Sequence, residues 1–450
     1  MTMNQRLPRL LHLNVNILHS GFVPSAWRLA DADPLAFIDA AHYVRVAQIA
    51  EAAKFDAVFL ADNASIADQI DFRPITALEP TVLLASIAAA TTHIGLIGTA
   101  STSYNEPYNL ARRFASLDHV SRGRAGWNIV TTADIGSARN FGRDAVPDHA
   151  QRYTRASEFA DIVKALWDSW EDDALVADKA SGRFIDVGKV HPIAHRGAHF
   201  SVQGPLNLPR SPQGHPVLVQ AGGSPDGREL AARHAEAVFS ASQSLEESAA
   251  YARELKARAQ ACGRGPDAIR VLPGLTTIVG ATEAEALRRR DELVDMIPWT
   301  YSLNRLAGTL GVTADRLRLD ERLPGDLPLP ANGNGNHTFF NATLAQARRH
   351  GYTARELIRA LAGGGGHRVV VGTPEQIADD ITHWFNAGAA DGFNLMPDAL
   401  PGGLQDFVDG VVPILRRRGL FRSEYEGSTL RDHLGLTRPA NTPGALRETA

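Results

Sequence analysis

The sequence predicts an α/β protein in which eight parallel strands close into a (β/α)8 TIM barrel with insertions in the loops. Short apolar runs alternate with helical patterns along the chain, which requires a parallel sheet with crossover connections. The runs are apolar throughout, as expected of strands that are covered on both faces. Eight such runs are present, the number that closes a parallel barrel. An open doubly wound sheet is the structural alternative.

The strand candidates are, in order, 11–18, 56–62, 94–102, 125–132, 216–223, 237–242, 269–280 and 391–397. Helical patterns lie between or after them, at 37–53, 80–91, 108–121, 153–170, 226–235, 246–263, 282–295 and 374–388. Each strand is thus followed by a helix, as the repeating unit of a barrel requires.

Two segments are longer than simple connections, and we interpret them as insertions within a single barrel domain of residues 1–420. They lie near 173–213 and 297–370, and the second contains PGDLPLPANGNGN and the glycine run 363–366. Insertions of this kind form loops that carry specificity, and the glycine-rich stretches suggest lids or hinges. Residues 421–450 form a C-terminal tail that could pack against a partner subunit.

Composition and charge exclude several classes of protein. The chain has 450 residues, of which 44% are hydrophobic and 21% charged, and its net charge is -4. This balance argues against partners such as nucleic acid or a membrane surface. No apolar stretch approaches the ~20 residues of a membrane span, and the single cysteine, Cys262, excludes a disulfide framework. We expect a cytoplasmic protein.

Polar side chains follow several strand candidates, where the active site of a barrel is assembled. Asp62 follows the second, Thr99 to Thr102 end the third, and Asn128 to Thr132 end the fourth. This rim is uncharged apart from Asp62, so it suits a polar heterocycle better than a metal ion. Its low charge also disfavours a polyanionic substrate, although arginines in the insertions could reverse that balance.

The fifth strand candidate is followed by AGGSPDGRELAARHAE, which indicates a strand, a glycine turn and a helix. Ser224 suits the N-cap and Pro225 the first helical position. Gly222 and Gly223 let a ligand approach the backbone closely, and the free N–H groups at a helix start favour a phosphate. A tight, well-capped turn without a ligand is the alternative.

His149 and Tyr153 are four residues apart in DHAQRYTRASEF, so on a helix they share one face. The pair could reach the barrel mouth. The alternative is a surface histidine beside a tyrosine packed on the core.

Other sources of chemistry find no support. Four histidines in the first insertion have spacings that match no usual zinc site, so we interpret them as loop residues and expect no metal: 191, 195, 199 and 215. The sequence has no GxSxG elbow and no dinucleotide fingerprint, and no carboxylate pair stands out. These absences suggest that an organic cofactor carries the reaction and that the protein orients it.

Four segments carry a resemblance to the bacterial-luciferase-like flavin-dependent monooxygenases. They are DAVFLAD, IGLIGTASTSYNEPYNLARRFASLDHVSRGRAGWNIVTT, HAQRYTRASEF and VLVQAGGSPDGRELAARHAEAVF. Within the family, the sequence resembles the branch of nitrilotriacetate monooxygenase component A, dibenzothiophene-sulfone monooxygenase and pristinamycin synthase. The resemblance extends over roughly residues 8–420.

The resemblance implies a two-component monooxygenase that uses reduced FMN (FMNH2) supplied by a separate NAD(P)H-dependent flavin reductase. The reduced flavin would react with O2 to give a C4a-(hydro)peroxide, which oxidises a small organic substrate. Members of the family form homodimers or homotetramers. The alternatives are a deazaflavin-dependent oxidoreductase on the same barrel and a non-catalytic flavin-binding carrier.

The resemblance also assigns residues to the flavin ring. Asp62 would contact the flavin edge, and Thr99 and Ser101 would lie near the ring. Asn128 and Thr131 would contact the ring or the ribityl chain.

The remaining assignments concern the other end of the cofactor. His149 and Tyr153 would reach the ribityl–phosphate part, and Gly223 and Ser224 would reach the phosphate. Many family members have a histidine before the proline of the loop after strand three, where this chain has Glu106. The sequence therefore identifies no catalytic acid or base.

Overall fold

The computed structural model describes residues 9–66, 70–327, 337–363 and 366–443. Each barrel strand pairs in parallel with the next, and the last pairs with the first. The predicted (β/α)8 barrel is therefore confirmed. The strands are β1 His12–Asn16, β2 Ala57–Leu60, β3 Gly95–Ser101, β4 Ala125–Val130, β5 Val217–Gln220, β6 Ala237–Ser240, β7 Arg270–Val279 and β8 Gly392–Leu395.

The helices surround the barrel and fill the second insertion. In order they are α1 Ala40–Ala52, α2 Pro80–Ala90, α3 Pro107–Val120, α4 Ile135–Asn140, α5 His149–Trp167, α6 Pro225–His234, α7 Leu245–Ala261, α8 Glu283–Asp295, α9 Trp299–Leu310, α10 His337–His350, α11 Ala354–Ala360, α12 Pro374–Asn386, α13 Gly402–Arg417 and α14 Leu430–His433. Most begin at a Ser, Thr or Asp N-cap or at a proline in the first turn, as sequence rules favour.

The two insertions have structure of their own. In the first, Leu175–Asp178 pairs with Arg183–Ile185, and His195–Arg196 pairs with Ser201–Val202, both antiparallel. The second contains α9 to α11 and ends in a strand, Arg368–Gly372, that pairs with the second half of β7. Most of the glycine-rich stretch interpreted as a lid, and two glycines of the run at 363–366, lie outside the described residues.

The C-terminal segment closes the N-terminal end of the barrel. Leu430 of α14 and Leu434, which follows this helix, pack with Ile97, Val217 and Leu272, which lie inside the barrel. The described part of the segment 421–450 therefore packs on the barrel of its own chain, whereas the sequence suggested contact with a partner subunit.

Buried ion pairs attach this segment to the barrel. Arg431, only 2% exposed, binds both carboxylate oxygens of Glu236, with Nη2 2.9 Å from Oε2. Glu236 also accepts a hydrogen bond from the backbone N–H of Leu218. Burial alone would raise the pKa of Glu236, but Arg431 holds it below its usual value. The carboxylate therefore depends on its arginine for compensation.

We expect the substitution Arg431→Met to lower the free energy of unfolding by about 3 kcal/mol, because it leaves Glu236 charged and buried without its partner. Adding Glu236→Gln should recover part of that loss. Arg438→Met serves as the control. Arg438 lies in the same C-terminal segment and pairs with Asp172, but its side chain is 43% exposed. This substitution should lower the free energy of unfolding by less than about 1 kcal/mol. Denaturant unfolding measures all three variants, and equal losses from Arg431→Met and Arg438→Met would contradict the assignment.

Candidate active site

Side chains alternate between the two faces of each barrel strand. In β1, Leu13 and Val15 pack outward in the core that the surrounding helices share, so Asn14 and Asn16 face the barrel interior. Both asparagines are buried, and neither amide oxygen has a hydrogen-bond partner. The interior is thus polar toward its centre, and some of its acceptors are unpaired.

Thr99 and Asn128 form the most constrained part of the rim. They are register partners on β3 and β4, both are buried, and the Asn128 Nδ2 donates to the Thr99 Oγ1 at 2.9 Å. The Asn128 Oδ1 is buried and has no hydrogen-bond partner. An unpaired buried acceptor costs about 1–3 kcal/mol, so this oxygen is suited to a donor on a ligand.

Ser101 ends β3 and is engaged by its neighbours. Its Oγ accepts hydrogen bonds from the Thr132 hydroxyl at 2.7 Å and from the Ser103 N–H at 3.0 Å. The hydroxyl that donates to Ser101 thus belongs to Thr132. The adjacent Thr131, which was predicted to contact the flavin, is half-buried. These contacts fix the shape of the loops after β3 and β4.

The loop after β5 has the predicted form. Ser224 is the N-cap of α6, and its Oγ accepts from the Gly227 N–H at 3.1 Å. The Tyr251 hydroxyl donates to the Gly222 carbonyl at 3.0 Å, and Arg228 Nε donates to the Gly223 carbonyl at 3.0 Å. These hydrogen bonds fix the backbone of the glycine turn. The start of α6 therefore has a geometry that is suited to an anion.

His149 and Tyr153 lie beside this helix start. Their rings are 4.7 Å apart on one face of α5, as predicted. A Cβ atom added at Gly227 would lie 3.2 Å from the Tyr153 hydroxyl, so glycine is what allows α5 and α6 to approach. The His149 Nδ1 lies 2.8 Å from the Asp226 Oδ2. The sequence analysis did not single out this carboxylate.

Asp62 occupies the loop after β2 and is exposed. The same loop contacts the loop after β4 through the Ser137 hydroxyl, which bonds the Asn63 amide oxygen at 3.2 Å, and through Ser65, which donates to Asp134. Asp62 therefore lies at the rim on a loop held by its neighbours.

An aromatic pair that the sequence analysis missed stands in the loops after β3 and β4. Tyr104 and Phe141 stack with ring centroids 4.8 Å apart, and the Arg143 guanidinium lies 5.9 Å from the Tyr104 ring. The Tyr104 hydroxyl is buried and has no hydrogen-bond partner. No periodic signal links residues 37 positions apart in irregular segments, so the pair was visible only after folding.

The nine residues that the resemblance assigned thus fall into three groups at one rim. They lie in the C-terminal halves of β3 and β4, in the loops after β2, β4 and β5, or on α5 beside the start of α6, and these strands are consecutive in the barrel. The groups are the exposed Asp62, the hydroxyl and amide cluster of β3 and β4, and the pair on α5 with the turn before α6. The arrangement is an arc with the unpaired Asn128 Oδ1 in its middle and the N-terminus of α6 at one end.

Two histidines of the first insertion pair with carboxylates. His191 pairs with Glu171 at 2.8 Å, and His195 pairs with Glu158 at 2.9 Å. Within the ranges that the structure covers, His, Cys, Asp and Glu side chains form no group of three that could hold a metal ion. Among the helices of the same ranges, none has both the length and the apolar character needed to cross a bilayer.

A model of the family described as "Luciferase-like monooxygenase" matches residues 20–391. The chain belongs to this family. Nitrilotriacetate monooxygenase component A of Aminobacter aminovorans is 46% identical over 436 residues, covering 94% of this chain and 96% of that protein. Dibenzothiophene-sulfone monooxygenase of Rhodococcus erythropolis is 40% identical over 435 residues, covering 94% and 95%.

Among solved structures, the chain is similar to riboflavin lyase with modified FMN and riboflavin, with a TM-score of 0.84 and 33% identity. The alignment covers 97% of this chain and 99% of that one. The expected family and branch are confirmed. So is the enzyme class, an oxidoreductase of the flavin-dependent monooxygenase type.

Proposed function

We propose that this protein is the oxygenase component of a two-component monooxygenase. It takes FMNH2 from a separate NAD(P)H-dependent flavin reductase and uses O2 to oxidise a small organic substrate. The proposal includes a cytoplasmic homodimer or homotetramer, as the sequence analysis expects. The observation that carries it is the unpaired Asn128 Oδ1 at the centre of the polar arc, in a chain that belongs to a flavin-dependent family.

The residues of the arc fit the chemical groups of FMN. The pyrimidine part of the ring carries an N–H group, for which the buried Asn128 Oδ1 is an acceptor without a partner. The phosphate requires backbone N–H groups, which the start of α6 presents behind the Ser224 cap. Asp226, in the first turn of α6, is engaged by a hydrogen bond with His149.

Reduced FMN, when bound, supplies the two electrons with which one oxygen atom of O2 enters the substrate and the other leaves as water. The protein contributes binding and orientation. Thr99 and Asn128 hold each other through a buried hydrogen bond, so their free polar atoms are presented in a fixed direction. The stacked rings of Tyr104 and Phe141 add an aromatic surface in the loops after β3 and β4.

The direct test mixes the protein, loaded anaerobically with FMNH2, with 18O2 and a panel of organic substrates. We expect one labelled oxygen atom in the product and a requirement for continuous FMNH2 supply when a flavin reductase drives turnover. A parallel arm offers reduced deazaflavin in place of FMNH2. Tighter binding of the deazaflavin, or the absence of any labelled product across the panel, would overturn the proposal.

Substitution of Ser224 tests the phosphate position. Ser224→Asp keeps a good N-cap but adds a negative charge, so we expect the affinity for FMNH2 to fall at least about tenfold, or ~1.4 kcal/mol. Ser224→Asn keeps the cap without the charge and should stay within about threefold. Reduced riboflavin, which has no phosphate, should bind both variants alike. Anaerobic titration measures these affinities, and an unchanged FMNH2 affinity of Ser224→Asp would remove Ser224 from the site.

Asn128→Leu tests the ring position with the opposite signature. The substitution is close in size and removes the unpaired acceptor, so both FMNH2 and reduced riboflavin should bind about 5- to 100-fold more weakly, or about 1–3 kcal/mol. Asn140→Leu is the control, because Asn140 is exposed and bonds only the Ala64 carbonyl. A loss for FMNH2 alone would contradict the ring assignment, and thermal unfolding checks that both variants remain folded.

A further inference from the structure

The second insertion returns to the barrel at His367, and the ring of this residue enters the barrel interior. His367 directly precedes the strand Arg368–Gly372, which pairs in parallel with the second half of β7. A Cβ atom added at Gly274 of β7 would lie 2.5 Å from the His367 Nδ1. Because the adjacent Leu275 packs outward, Gly274 faces inward. The His367 ring therefore lies against the inner face of β7.

Three phenylalanine rings surround the ring of His367. It stacks on Phe239 of β6, with the two ring centroids 5.0 Å apart and the planes at 6°. The rings of Phe22, in the loop after β1, and of Phe339, on α10, meet it edge-on at centroid distances of 6.0 Å and 4.9 Å. Phe239 also contacts the ring of Phe59 on β2, across the barrel interior, at 5.6 Å. Contacts from separate segments of the chain thus fix the position of the imidazole.

The residue after His367 anchors the start of the strand on the outside of the barrel. The Arg368 guanidinium lies over the Trp384 ring of α12, 3.9 Å from its centroid, and donates to Asp380 of the same helix. With Arg368 held by α12, the preceding His367 is directed to the inner face of β7.

Packing alone does not account for a histidine at this position. His367 is 9% exposed, and its Nδ1 is buried without a hydrogen-bond partner. Burial lowers the pKa of His367 to about 3, so the ring is neutral near pH 7. An unpaired polar atom in an aromatic cluster destabilises the folded protein, whereas a phenylalanine would make the same ring contacts without that cost. The nitrogen is therefore suited to a partner that arrives with a ligand.

The aromatic cluster borders the open end of the barrel. Phe239 packs with residues of the barrel interior and is nevertheless only half-buried, so part of its ring faces the mouth. The proposed cofactor residues lie on or after β2 to β5, or on α5, whereas His367 lies over β6 and β7. The cluster thus forms a wall of the mouth that the proposed cofactor residues do not occupy.

We propose that His367 contacts the substrate and positions it through a hydrogen bond between the imidazole and a polar group of the substrate. The phenylalanine rings around it supply the apolar surface of the same wall. The inference deepens the proposed function, on which it rests, and adds a residue for substrate recognition to the residues proposed for the cofactor.

Two substitutions of His367 separate packing from hydrogen bonding. His367→Phe keeps the ring contacts and removes both nitrogens, so it should unfold at a temperature no lower than the wild type. His367→Asn keeps a polar group and leaves part of the space of the ring empty, so it should unfold at a lower temperature. The kcat/KM for the substrate that the 18O2 panel identifies should follow the opposite order. We expect it to fall at least about fivefold in His367→Phe, the effect of losing a buried hydrogen bond, and to be recovered in part in His367→Asn.

Matched controls lie in the same parts of the chain. His350 is an exposed histidine of the second insertion that stacks on Tyr352 at 5.0 Å, and His350→Phe should change neither the unfolding temperature nor kcat/KM. Gly274→Ala places a Cβ atom against the His367 Nδ1 and should lower kcat/KM by displacing the ring. Gly308→Ala, where the added Cβ meets nothing within 4 Å, should leave kcat/KM unchanged.

Anaerobic titration distinguishes a substrate contact from a cofactor contact. The affinity of His367→Phe for FMNH2 should stay within about twofold of the wild type. A fall in FMNH2 affinity as large as the fall in kcat/KM, an unchanged kcat/KM in His367→Phe, or equal values for His367→Phe and His367→Asn would overturn the inference and leave the proposed function standing. No labelled product with the wild type would overturn the proposed function, and the inference with it.

Discussion

The buried carboxylate of Asp56 joins parts of the chain on which the barrel depends. It accepts hydrogen bonds from the Leu13 N–H in β1 at 2.7 Å and from Arg422 near the C-terminus at 2.7 Å, and it pairs with the His12 ring at 3.0 Å. Burial alone would raise the pKa of Asp56, but Arg422 and His12 hold it below its usual value. Arg422, 366 positions away from Asp56, thus helps to fix how β1 and β2 pair. That pairing also sets where the two strands end at the rim of the barrel.

Charged and polar side chains have different partners at the two ends of the barrel. At the N-terminal end, charged groups are paired, as in Asp56 with Arg422 and Glu236 with Arg431. At the C-terminal end, buried polar atoms such as the Asn128 Oδ1 and the Arg305 Nη1 have no partner within the described chain. Unpaired groups lower the stability of the folded state, and the unpaired Asn128 Oδ1 lies where a ligand could complete it.

What could be predicted from the sequence follows from which signals are local. Strand and helix periodicity predicted the barrel, and the order of Gly223, Ser224 and Pro225 predicted a capped helix start that the structure confirms. Contacts between distant irregular segments carry no such signal. Tyr104 and Phe141 are 37 positions apart, and neither is marked by its neighbours in the sequence as part of an aromatic pair. Leu430 lies in a four-residue helix too short to show periodicity, so its place inside the barrel was not predicted.

At the C-terminal end of the barrel, the proposed cofactor residues and the inserted segments are constrained to different degrees. Several of the proposed cofactor residues lie on β3 and β4, where strand pairing fixes their positions, or at the capped start of α6. Helices α9 to α11 lie in a segment inserted after β7, where a residue can change without disturbing a barrel strand. Insertions tolerate substitution far better than strands that are buried on both faces. Barrel closure therefore constrains the proposed cofactor residues on β3 and β4 and leaves the inserted segments free.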